Sequence, residues 1–253
     1  MTRYFLDTGV VLGFTFLHDA WRTEAEEVFD NDSSLYVNEV VLFEYCNNDD
    51  GISVEDAEID WETEEGRFGD IISFAEATKM TFDMKIDAYD DAELDVSTLV
   101  DRFIDIAQIE DDVDEELIEE YIRPRLTEFV KGELGDKDLT AAIARDIGDV
   151  LFDTIIDGGR RKREEIKERV TIVNATNENR ECYYSRIDHF IDGHRDTLIL
   201  ADVACLQDSG VLRKIITTDG NHMCSNRERL KSSIAVDIQH VKDAVSDHSM
   251  PTS

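Results

Sequence analysis

Five short segments rich in apolar and β-branched residues are separated by stretches of helical periodicity: RYFL at 3–6, SSLYVN at 33–38, RVTIVNAT at 169–176, KIITTD at 214–219 and SIAVDIQHV at 233–241. Strands that alternate with helices pack as one sheet running mainly in one direction, with helices on both faces. The pattern therefore predicts an α/β chain: a three-layer α/β/α arrangement around a central, mainly parallel sheet. The first segment matters most, because a single acid, Asp7, follows the apolar RYFL at the point where the strand should end.

The segment from Phe14 to Phe29 has helical spacing, with Leu17, Ala20, Trp21, Ala25 and Val28 on its apolar side. Asn38 is an N-cap for EVVLFEYCN. RDTLILADVACLQDSG, at 195–210, is apolar on nearly every side and reads as a buried helix stopped by Gly210. From about Asn47 to about Arg163 the pattern changes to acidic amphipathic helices without a convincing strand, punctuated by Gly51, Gly132, Gly135, Gly158 and Gly159, with Pro124 starting or kinking a helix. Two parts are expected: an α/β core at 1–48 and 166–253, and an all-helical acidic insertion at 49–165. The tail after about Val245 is expected to fray.

Charge decides how the acids are to be weighed. Among 253 residues, 59 Asp and Glu face 26 Lys and Arg, a net charge of −33 spread along the chain. At ordinary salt such self-repulsion opposes compactness and discourages approach to nucleic acid. In molar salt the Debye length falls to about 3 Å and the repulsion is screened, which points to a protein of a halophile; an acidic partner for a basic protein is the competing account. Acids therefore count only where they interrupt apolar structure. Cys46, Cys182, Cys205 and Cys224 lie too far apart in sequence for a zinc-type pair and read as reduced thiols. No apolar run approaches the length of a membrane span and no charged leader precedes an apolar one, so the expectation is a soluble, cytoplasmic protein without a membrane partner.

Four acids meet the criterion. Asp7 and Asp219 each follow an apolar strand, where ligands of open α/β sheets bind. Glu44 shares a helix face with Val40 and Val41, a costly place for a charge that is neither paired nor metal-bound. Asp196 stands at the start of the buried helix, in line with Ile199, Leu200 and Val203. The plainer readings are helix caps for Asp7, with Thr8, and for Asp196, and an ion pair with an arginine for Glu44. Asp202, in the middle of the buried helix, is either a further ligand or a residue paired with an arginine; Asp188 and Asp192 read as caps or solvated side chains. Four carboxylates at one sheet edge need protonation or a cation. The hard ions Mg²⁺ and Mn²⁺ favour such oxygen ligands, and the site they make acidifies a bound water and stabilises a phosphodiester under attack, which is nuclease chemistry.

YFLDTGVVLGF, LYVNEVVLFEYCN, RDTLILADVACL and KIITTDGNHM, in that order, resemble the PIN domain family over about residues 1–48 and 168–240. The resemblance implies catalytic, metal-holding roles for Asp7, Glu44, Asp196 and Asp219, with the hydroxyls of Thr8, Thr217 and Thr218 beside them. It implies a doubly wound α/β/α fold and a Mg²⁺- or Mn²⁺-dependent endoribonuclease acting on an RNA substrate, in a family whose members are often homodimers. Family members commonly act as toxins held by a small antitoxin, but the helical block is far larger than a compact toxin carries and suggests a protein partner of its own. A phosphatase of the HAD class needs a second acid at the position of Gly9, and DTGVVLG lacks the spacing of a dinucleotide-binding turn. The stronger competitor is a catalytically inactive PIN-like module that binds RNA or protein. The densest basic cluster, Arg160, Arg161, Lys162 and Arg163, reads either as a phosphate grip at the rim of the site or as a solvated helix start paired with Glu164, Glu165 and Glu168. Tyr183 and Tyr184 read as core or as stacking platforms, and His222 lies close behind Asp219.

Overall fold

The computed structural model describes residues 3–31, 33–48, 52–90, 93–107, 113–175, 177–212 and 214–246. The strands are β1 (Arg3–Leu6), β2 (Ser34–Val37), β3 (Val170–Ile172), β4 (Lys214–Thr217) and β5 (Ile238–His240), hydrogen-bonded in the order β3-β2-β1-β4-β5. All four pairings are parallel, with Phe5 beside Tyr36 on one side and Ile215 on the other. β1 is central, and Tyr4, Phe5 and Leu6 are all buried, as expected for a strand covered on both faces. β3 is an edge strand, and its Ile172 stays exposed. The chain is α/β with an all-parallel sheet.

In chain order the helices are α1 (Thr8–Thr15), α2 (Arg22–Asp30), α3 (Glu39–Leu42), which widens into a π-helical turn at Phe43–Asn47, α4 (Gly66–Ile86) and α5 (Val96–Ile106). Next comes α6, which runs through Glu115–Leu117, a π-helical turn at Ile118–Ile122 and Arg123–Leu134. It is followed by α7 (Ala141–Arg169), α8 (Asn177–Ile187), α9 (His194–Asp208), α10 (Arg227–Ile234) and α11 (Val241–Ser246). Asn38 caps α3 by accepting the Val41 N–H at 2.9 Å, Pro124 opens the last segment of α6, and Gly210, at φ +72°, follows α9. The expected frayed tail falls on 247–253, outside the described residues, as does Gly51.

Two compact units emerge: Met1–Phe14, Thr23–Gly69 and Lys162–Ser253 form one, and Thr15–Arg22 with Asp70–Arg161 the other. Their borders differ from those expected. Residues 52–69 and 162–165 group with the sheet, whereas 15–22 groups with the helical block. For 15–22 the reason lies in a break within the expected Phe14–Phe29 helix. Asp19 accepts the Trp21 N–H at 2.8 Å and its carbonyl accepts the Arg22 N–H at 3.2 Å, closing a turn. The exposed carbonyls are then taken by Arg125, which donates to Leu17 at 3.2 Å and Asp19 at 2.5 Å, while the Trp21 ring lies 5.5 Å from Tyr121. A one-dimensional periodicity counts Leu17, Ala20 and Trp21 as a helix face and cannot see the arginine that holds them as a loop.

Two further expectations are corrected. Gly158 and Gly159 do not interrupt the helical block but lie inside α7, where a Cβ on Gly159 would come within 2.9 Å of the Phe16 ring; close packing accounts for the glycine. SIAVDIQHV is a strand only over Ile238–His240, because Ser233 and Ile234 end α10 and Ala235 turns the chain at φ 60°. Within the helical unit, Phe82, Phe103 and Phe152 form the centre, with ring centroids 5.6 and 5.5 Å apart.

Candidate functional site

β1 and β4 are neighbours, and the sheet order reverses between them, which makes the crevice beyond their carboxyl ends the switch point of the sheet. The ladder runs one residue past β1, with the Asp7 N–H on the Ile216 carbonyl at 3.0 Å. The buried Asp7 carboxylate accepts the Thr8 N–H at 2.9 Å and the Thr217 hydroxyl at 2.7 Å, and Thr217 Oγ1 in turn accepts the Asp219 N–H at 2.9 Å. On the other side Thr8 Oγ1 donates to Glu44 Oε2 at 2.6 Å. Two threonine hydroxyls thus string Asp7, Glu44 and Asp219 together, from β1, the π-helical turn after α3, and β4.

Glycines let these elements approach. A Cβ on Gly9 would lie 2.0 Å from Thr218 Oγ1, so α1 touches the end of β4 only because position 9 has no side chain. Gly66, at φ +59°, brings its own N–H and that of Glu65 onto the carbonyls of Asn48 and Cys46, both at 3.1 Å, capping the π-helical turn that carries Glu44. A Cβ there would meet the Glu44 carbonyl at 2.8 Å. Gly66→Ala therefore combines left-handed backbone strain of about 1–2 kcal/mol with displacement of Glu44. The expected result is a urea midpoint shift worth about 2 kcal/mol or more, and an unchanged midpoint would remove this account of how Glu44 is held.

Asp196 lies half-buried in the first turn of α9, close over Gly193, whose φ of +105° again suits glycine. Its carboxyl is pushed up to about 7, first by burial and then by the charges of Asp7, Glu44 and Asp219, with His222 opposing. Asp7 is pushed up to about 6, again first by burial, with Glu44 and Asp219 adding and the Thr217 and Thr8 hydrogen bonds opposing. Glu44 and Asp219 thus act on both Asp7 and Asp196, and Asp7 acts on Asp196. Asp219 also shapes the backbone beside it: its side chain accepts the N–H groups of Asn221, His222 and Met223 at 3.0, 2.8 and 3.2 Å, capping the π-helical turn Gly220–Cys224.

Asp202 is engaged elsewhere. Arg180 Nε lies 2.9 Å from Oδ1, as an ion pair not aligned for a hydrogen bond, and Asn38 donates to Oδ2 at 2.8 Å. Burial still pushes this carboxyl up to about 6, against the pull of Arg180 and Asn38. Asp202 is not among the charges that raise Asp7 or Asp196, and it ties α9 to the cap of α3. Arg163 turns inward instead of lining a rim: it is buried, donates to the Thr63 carbonyl at 3.1 Å, pairs with Glu64 at 3.5 Å and lies 4.7 Å over the Phe68 ring. Arg160, paired with Glu76 at 3.2 Å, and the exposed Arg161 belong to the helical unit.

The structure adds Thr217 as the link between Asp7 and Asp219, and Gly9, Gly66 and Gly193 as points of close approach. The sequence signal for these was a glycine two residues beyond a strand-end Asp and a glycine at each helix entry. All four cysteines are free thiols, with Cys46 and Cys205 buried. Among the described residues no three Asp, Glu, His or Cys side chains stand together as a ready-made metal cage, and no helix is long and apolar enough to cross a membrane. No protein-family model matches the chain, and neither does any curated protein or solved structure.

Proposed function

We propose that the chain is a Mg²⁺- or Mn²⁺-dependent endoribonuclease on a three-layer, PIN-like α/β/α core. The observation that carries this reading is the gathering of acids at the switch point of the sheet: Thr8 and Thr217 link Asp7, Glu44 and Asp219, whose charges raise the carboxyl of Asp196. The donor set fits a hard cation: carboxylate oxygens with threonine hydroxyls beside them and no thiolate. Asp7, Glu44 and Asp196 would hold the ion, and Asp219, with part of its acceptor capacity spent on backbone N–H groups, would complete the shell from one remaining lone pair. A bound Mg²⁺ or Mn²⁺ supplies Lewis acidity to the scissile phosphodiester and lowers the pKa of a water.

The protein's own contribution is orientation. Thr8 fixes the rotamer of Glu44, and Thr217 fixes that of Asp7 while anchoring the Asp219 backbone, so three carboxylates from distant parts of the chain are held before any ligand arrives. Raised pKa values at Asp7 and Asp196 mark carboxylates that gain most from a nearby positive charge. One observation favours a second reading, an inactive module that binds RNA or protein: no three of these acids already form a cage. Incubating the purified protein with RNA in high salt, with Mn²⁺ or with EDTA, separates the two. Cleavage that stops in EDTA is expected; a folded protein that leaves a broad set of RNAs intact with Mn²⁺ would favour the binding module.

A further inference from the structure

The charge of −33, spread along the rest of the chain, spares one stretch. From Arg180 to Lys231 the chain has eight Arg and Lys against eight Asp and Glu, so the whole acidic excess lies outside this segment. The segment runs through α8, α9, β4 and α10 and contains Asp196 and Asp219. Its acids are partly consumed inside: Asp196 and Asp219 in the cluster, and Asp202 on Arg180 and Asn38. Arg195 is likewise spent, donating to Asn48 at 2.9 Å and lying 5.1 Å from the Phe43 ring centre. The exposed cations of α10 are Arg227 and Arg229, on either side of the exposed Glu228, and Lys231, which pairs with Asp237 at 3.7 Å; the imidazoles of His194 and His222 are exposed as well.

Flat groups accompany these cations. The Arg229 guanidinium lies 3.8 Å over the ring centre of the half-buried Phe190, and the Tyr184 hydroxyl meets His194 Nδ1 at 2.8 Å with the rings 5.5 Å apart. α8, which carries Tyr184 and leads into Phe190, packs against both α9 and α10. His194 is two residues before Asp196, and His222 is close enough to Asp196 to act on its charge.

We infer that this surface, from His222 and Arg227 across His194 and Tyr184 to the Arg229–Phe190 pair, is the binding track for single-stranded RNA. It rests on the reading of the four carboxylates as a phosphodiester-cleaving site, to which it brings the substrate. Cations at the surface attract phosphates, while guanidinium and aromatic planes stack on bases, which only an unpaired strand can present. Elsewhere the chain repels a polyanion. The Arg160–Arg163 cluster offers less, since Arg163 is buried and Arg160 is paired with Glu76.

The test uses the full-length Asp7→Asn protein, so that RNA survives the measurement, and a fluorescent, unstructured RNA of about 12 nucleotides. Polarisation is read at the lowest salt at which circular dichroism shows the fold intact. Binding is expected, with Arg227→Glu plus Arg229→Glu weakening it at least about tenfold. Arg229→Lys, which keeps the charge and removes the plane, is expected to weaken it about threefold or more. Arg160→Glu plus Arg161→Glu should leave affinity within about twofold. No binding by Asp7→Asn overturns the track, as does loss on changing Arg160 and Arg161 with none on changing Arg227 and Arg229. Wild type that binds through Arg227 and Arg229 without cutting upholds the track and removes the nuclease reading; cleavage indifferent to both arginines does the reverse.

Discussion

Asp7→Asn is expected to abolish Mn²⁺-dependent RNA cleavage while making the metal-free protein more stable. On the proposed mechanism, removing one carboxylate from the cluster would cost the several kcal/mol of transition-state charge stabilisation that a held cation would provide, or about 10³-fold in rate. The stability change has the opposite sign. The buried Asp7 carboxyl is pushed up to about 6 from 3.8, so above pH 7 its ionisation in the folded state costs on the order of 3 kcal/mol. Asparagine keeps an acceptor for the Thr8 N–H, and its amide can donate to Thr217 in place of the lost acceptor. The expected rise in melting temperature in EDTA at pH 8 is about 5–10 °C. A variant that cuts RNA as well as wild type, or one that melts lower in EDTA at that pH, would sink the assignment of Asp7.

The second large effect is a coupling between pH and divalent ions. Asp7 and Asp196 are raised to about 6 and about 7, so between about pH 4 and pH 7 the folded protein binds more protons than the unfolded chain. Stability of the metal-free protein therefore falls as pH rises through that window; the penalty is absent below the unfolded carboxyl pKa and complete above the folded ones. General repulsion among 59 acids changes in the same direction. The measurement that isolates the site is the difference in pH slope between wild type and Asp7→Asn with Asp196→Asn. The wild-type slope should be steeper in EDTA, and Mn²⁺ should flatten it and raise the melting temperature more at pH 8 than at pH 5. Equal slopes for the two proteins in EDTA would show that the cluster carries no such burden.

Parts of this site were legible because they are local. Asp7 after RYFL and Asp219 after KIITT are acids at the ends of apolar runs, and that much is visible in ten residues. Asn38 as a cap for the next helix is equally local, and its 2.9 Å bond to the Val41 N–H follows from backbone geometry. The loop at 16–21 was not legible, because the contacts that break the helix come from Arg125, more than a hundred residues away. Nor was the inward turn of Arg163, since four consecutive basic residues look alike in sequence until one meets Phe68 and Thr63.

The sequence by itself determined the class: strands alternating with helices, a helical block between them and an acid at the end of two strands, all set by apolar periodicity and by where that periodicity stops. Tertiary structure alone decided that β1 and β4 lie side by side, that Thr8 and Thr217 link Asp7 to Glu44 and Asp219, and that Asp202 is tied to Arg180 instead. The physical reason is range. A strand or a cap is stabilised by neighbours along the chain, whereas a carboxylate's partners and its pKa are set by groups brought within a few ångströms only once the sheet has closed.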